Sequence, residues 1–193
     1  MIVPVTGQLV ARLAALGLVT VAVQVTAISQ IELFGVNADL TPLVVAAVGL
    51  MTGSIIGACF GFAAGLFLDF ALVETLGLSS LVYVIVGYAA GRLRELRDPQ
   101  AALAPMGLGA AVTAGATIGI SIMEFLLGVD APVSFLLIRE IVATVLLNTV
   151  IALPVFALTR RWLTPALPEH PRRRRRRAYT TGGLSPLSSS SSR

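Results

Sequence analysis

The side chains with which this chain could do acid–base, nucleophilic or metal chemistry are few. Among 193 residues there are ten acids, fourteen arginines, one histidine and one cysteine, and no lysine. Cys59 lies inside a glycine-rich apolar stretch and His170 stands alone near the C-terminus, so histidine and cysteine offer no cluster of metal ligands. A G-x-S-x-G nucleophile element is absent, and a G-x-x-x-x-G-K-[ST] phosphate loop cannot exist without lysine. The acids are single and mostly at the edges of apolar segments, not paired as phosphoryl transfer in a membrane would need. No catalytic, cofactor-binding or metal residue is assigned, no cofactor is expected, and the chain reads as a non-enzyme.

Four charges do stand inside or at the rim of apolar segments: Asp69, Glu124, Arg139 and Glu140. In a bilayer such groups are expensive, and they mark ion paths, proton relays or partner contacts unless solvent reaches them at an interface. The topology argued below places all four toward the outer face, where solvation is available. Asn148 and Thr149, in the middle of the last apolar segment, read as hydrogen-bonding groups between helices.

The element that must position these groups is the run from Gly49 to Asp69. Gly49, Gly53, Gly57, Gly61 and Gly65 recur every fourth residue within it. In a soluble helix each interior glycine costs about 1 kcal/mol relative to alanine. In lipid, helices lack a hydrophobic reason to associate, and small residues that let backbones touch become useful. Four residues overshoot one turn by about 40°, so the glycines trace a slanted groove along the helix. Gly87 and Gly91 repeat the spacing further on. Gly53, Gly57, Gly61, Gly65, Gly87 and Gly91 are therefore expected to form a seam, used either for packing within the bundle or for a partner's helix.

Composition sets the class. The chain is 56% hydrophobic and 12% charged, with a mean hydropathy of +0.89, against about 25% charged residues in soluble domains. Apolar segments near residues 9–31, 38–51, 53–70, 78–93, 103–127 and 135–159 predict an all-α polytopic membrane bundle of about six transmembrane helices within residues 1–162. The second segment is too short to span by itself, so the second and third are either separate or one broken helix. The connections after segments one, three and five hold Glu32, Asp39, Asp69, Glu74 and Asp130 without arginine, whereas the loop after segment four holds Arg92, Arg94 and Arg97. By the positive-inside rule, both termini are expected in the cytoplasm. Residues 163–193 are rich in proline, arginine and serine and predict a disordered tail. Its run Arg172, Arg173, Arg174, Arg175, Arg176 and Arg177 supplies more positive charge than the whole chain's net +4. It is expected to contact anionic membrane lipid, and no nucleic acid is expected because no aromatic residues interleave it.

The stretch from Gly57 to Leu96 resembles the rod shape-determining protein MreD family. The pattern G-F-x-x-G-L-x-x-D falls on Gly61, Phe62, Gly65, Leu66 and Asp69. It is followed by Leu76, Gly77 and Leu81, and then by Gly87, Tyr88, Gly91 and Arg94. The resemblance implies a non-enzymatic subunit of the bacterial elongation (rod) complex in the inner membrane of a bacterial cell, acting in cell shape and lateral peptidoglycan synthesis. It implies partners such as an MreC-like single-span protein, MreB-like filaments and peptidoglycan synthases. It also implies a bundle similar to the substrate-binding subunits of energy-coupling-factor transporters. The alternative reading is such a small-molecule-binding transporter subunit, against which the scarcity of tyrosine and tryptophan in the bundle argues.

Overall fold

The computed structural model describes residues 6–28, 39–73, 75–96, 104–128 and 135–167. Among them there is no strand, and six helices form: α1 (Gly7–Val23), α2 (Thr41–Thr52), α3 (Ser54–Leu72), α4 (Leu78–Leu96), α5 (Ala104–Leu127) and α6 (Phe135–Leu163). The protein is an all-α membrane bundle. The arginine run and the tail from residue 168 onward lie outside the described residues, as do Glu32 and Glu74.

Local chemistry sets the helix ends. Thr6 caps α1, its hydroxyl accepting from Leu9 N at 3.3 Å, and Pro42 sits in the first turn of α2, where its missing N–H costs nothing. Gly53 separates α2 from α3 with φ 108° and ψ 175°, a backbone region open almost only to glycine. Its N–H still closes onto Gly49 O at 2.8 Å, so the chain reverses in one residue and α3 folds back antiparallel on α2. Gly53→Ala is expected to cost about 1–3 kcal/mol, read as a lowered thermal midpoint in detergent. An unchanged midpoint would show that the turn relaxes freely.

α2 is the core of the bundle. Its 12 residues extend about 18 Å, short of the ~30 Å hydrocarbon layer. Every residue from Thr41 to Gly49 is buried, so it touches protein on all sides. Around it pack α3, α4, α5 and α6, with Val45, Val48, Phe60, Leu68, Tyr83 and Val86 in one apolar cluster. Among the described residues, four stretches are long and apolar enough to cross a membrane by themselves: Gly7–Thr26, Ser54–Leu72, Gly107–Leu127 and Ile141–Ala166. α4 carries Arg92, Arg94 and Glu95 in its last turns. Six crossings, the number expected from sequence, would add α2, which is short and enclosed, and α4, which exposes Leu81, Ile85 and Tyr88 along one face.

α5 and α6 form a second antiparallel hairpin, closed where Gly109 meets the Ala152 methyl group. The start of α1 is tied to the end of α6. Arg12 Nη1 donates to Trp162 O at 2.7 Å, and Trp162 Nε1 donates to Arg12 O at 3.3 Å. α2 and α6 run the same way and meet at Asp39 and Asn148, so equal rise sets Thr52 level with Arg161. The Gly53 turn, Arg12, Arg160, Arg161 and, through the contact of Gly91 with Ser54, the end of α4 therefore share one end of the bundle.

Candidate functional site

Two constructions occupy the interior. The first is the glycine seam. A Cβ placed on Gly57 would stand 2.6 Å from Gly49 Cα and 2.6 Å from Gly87 O, so three helices meet backbone to backbone at Gly49, Gly57 and Gly87. The contact continues antiparallel along α3 and α4. Gly61 abuts Tyr83 O, Gly65 lies against Ser80, where a Cβ would be 2.5 Å from its Cα and N, and Gly91 abuts Ser54. Apart from Gly53, at the turn, these seam glycines are buried. The structure thus fills the seam with the chain's own α2 and α4, which leaves a partner's helix no approach to these glycines. The reason is register: the two glycine runs lie at matching heights once α3 and α4 fold antiparallel.

The second construction is a polar junction at the start of α2, near the middle of the 29-residue α6. Asn148, fully buried, holds Asp39 from both sides. Its Oδ1 accepts from Asp39 N at 3.1 Å, and its Nδ2 donates to Asp39 O at 2.8 Å and to Thr113 Oγ1 at 3.3 Å. The Asp39 carboxylate accepts from Thr41 N at 3.2 Å and from Tyr83 Oη at 3.3 Å. Gln24 Oε1 accepts from Leu40 N at 2.9 Å. An acid at the N-terminus of a helix is favoured by the peptide dipoles, and these donors replace the water that hydrocarbon lacks. The end of α1 and helices α2, α4, α5 and α6 are joined here by side chains far apart in sequence. Asn148 acts between helices as expected. Gln24, Tyr83, Thr113 and the inward role of Asp39 escaped the sequence reading. The available signal was Asp39 two residues before Thr41-Pro42, a helix-start pattern.

The rim charges separate. Asp69, expected toward the outer face, stands at the end of the bundle away from Arg12 and Trp162 and is fully buried there. Its Oδ2 accepts from Gly77 N at 2.8 Å and its Oδ1 from Ser79 N at 3.3 Å, so it caps the first turn of α4 across the α3–α4 turn. Two free backbone donors at a helix start attract the nearest acceptor, and the left-handed turn at Val73 and Gly77 brings them to it. Asp69→Ala is expected to destabilise by about 1–2 kcal/mol, with hydrogen exchange at the start of α4 rising first. Protection unchanged there would remove the capping role. Glu124 is half-buried and Arg139 exposed, while the side chain of Glu140 lies outside the described residues. Among the described residues, no three His, Cys, Asp or Glu side chains gather as metal ligands.

A family model described as rod shape-determining protein MreD matches residues 6–162, which takes in all six helices. No match was found among curated proteins or among solved structures.

Proposed function

The chain belongs to the rod shape-determining protein MreD family, and from that premise we propose that it is a non-enzymatic scaffold subunit of the bacterial elongation complex. In this reading it holds an MreC-like single-span protein, and through it MreB-like filaments and peptidoglycan synthases, in the inner membrane. The observation that carries the proposal is the family match across the whole bundle, from Thr6 to Trp162. The interior suits a rigid support: its seam glycines meet backbone to backbone, and Asn148 holds Asp39 from both sides. The partner is then met by outward faces, with Arg139 and Glu124 at the end away from Arg12 and Trp162. Arginines Arg12, Arg92, Arg94, Arg160 and Arg161 fall at one end, which the positive-inside rule assigns to the cytoplasm together with both termini. The tail arginines add attraction to anionic lipid on that side.

The test is purification from native membranes in mild detergent with mass spectrometry of what stays bound. A single-span MreC-like protein with cell-wall synthesis enzymes is the expected recovery. Arg139→Glu is expected to lower that recovery several-fold at unchanged bundle yield, since Arg139 is exposed. Unchanged recovery would move the docking surface elsewhere. Recovery of paired ATPases and a coupling membrane protein would overturn the scaffold reading in favour of a transporter subunit.

A further inference from the structure

α1 packs against α3, and a Cβ on Gly17 would lie 3.4 Å from the ring of Phe60. On the outward side of that contact the two helices diverge. They leave a cavity of about 550 Å³ between Leu9, Ala14 and Leu18 of α1 and Ile55, Ala63 and Phe67 of α3. Its lining is apolar throughout, and Leu18, Ile55 and Phe67 are exposed along its lateral opening. Both walls belong to stretches apolar enough to span a membrane, so the medium at the opening is hydrocarbon.

We propose that this groove is a binding site for one acyl chain of a phospholipid from the leaflet at the Arg12–Trp162 end. Size selects the occupant. The twelve-residue rise from Ile55 to Phe67 is about 18 Å, close to the ~15 Å depth of one leaflet and well short of the ~30 Å that a spanning helix requires. An extended hydrocarbon chain is thin enough to enter. Charge selects the headgroup. The groove begins at Leu9 and Ile55, at the end of the bundle that carries Arg12 and the exposed Arg160 and Arg161. Cations at that level favour an anionic phospholipid over a zwitterionic one. Trp162, hydrogen-bonded to α1, marks the same interface.

The test uses the full chain reconstituted with mixed phosphatidylglycerol and phosphatidylcholine, then delipidated and weighed by native mass spectrometry. Retention of one phospholipid, enriched in phosphatidylglycerol, is expected. Ala63→Phe fills the groove from an exposed position and is expected to lower retention at least fivefold. Leu146→Phe, on the exposed face of α6, leaves retention unchanged. If Ala63→Phe does not yield folded protein, Ala14→Phe makes the same change from the other wall. Cys59, the chain's one cysteine, lines the groove and is exposed. A fluorophore there should be quenched by phospholipid brominated along its chains. Equal retention in the wild type and both variants overturns the site, as does cross-linking of Cys59 to another protein or to a second copy.

Discussion

Gly57→Leu is expected to abolish recovery of folded, monodisperse protein. The first carbon of the new side chain would lie 2.6 Å from Gly49 Cα and 2.6 Å from Gly87 O, where carbon contacts are comfortable at about 3.5–4.0 Å. Overpacking of a core by side chains costs typically 1–3 kcal/mol because side chains can turn aside. Here the obstacles are backbones on two sides, and the remaining carbons of leucine have nowhere to go. The cost should exceed about 4 kcal/mol, a large part of the 5–15 kcal/mol that holds a domain together. The measurement is fluorescence-detected size exclusion in mild detergent after a temperature series. Gly115→Ala is the control. Nothing lies within 4 Å of its added methyl group, so it should be neutral or stabilising by up to about 1 kcal/mol. A wild-type-like profile for Gly57→Leu would mean that α2, α3 and α4 do not touch at this vertex. Because the effect is on folding, loss of partners by seam variants alone cannot locate a docking surface, which is why Arg139→Glu is the sharper probe of partners.

Asn148→Leu is the second large expectation, at about 2–5 kcal/mol. Leucine keeps roughly the volume but removes the hydrogen bonds that Asn148 makes to Asp39 N, Asp39 O and Thr113 Oγ1. A buried polar group left without a partner costs about 1–3 kcal/mol, and hydrocarbon offers no replacement. Hydrogen bonds between membrane helices are worth less on average, near 0.6 kcal/mol, because the separated helices find other partners. The larger figure is expected here because one side chain makes three hydrogen bonds, two of them to the backbone of Asp39 at the start of a helix. Thermal midpoints should fall accordingly, and Thr113→Val combined with Asn148→Leu should cost less than the two changes summed. A fall below about 0.5 kcal/mol, with strict additivity, would show that water reaches the junction.

The class of the molecule was legible in its residues for a physical reason. Burial in lipid is decided by composition over lengths of about 20 residues, and hydropathy reads that directly. The family pattern from Gly61 to Arg94 was legible because glycine, a helix-ending acid and a basic end recur at fixed spacing within one α3–α4 hairpin. Close packing of the four-residue glycine runs could be anticipated for the same reason, since only glycine lets backbones touch. What occupied the seam was not legible. A glycine stripe reads the same to an outside helix as to α4, and only the antiparallel register of α3 with α4 decided between them. The same holds for charge. Asp69 at the end of an apolar run could face water or cap a helix, and the left-handed turn at Val73 and Gly77 made it a cap. Asp39 looked like a loop acid because its partners Asn148 and Tyr83 are 109 and 44 residues away. Local periodicity carries no information about such pairs. The sequence by itself determined that this chain is a membrane bundle with a glycine seam. Tertiary structure alone decided which helix fills the seam, which acids turn inward and where a groove is left open to lipid.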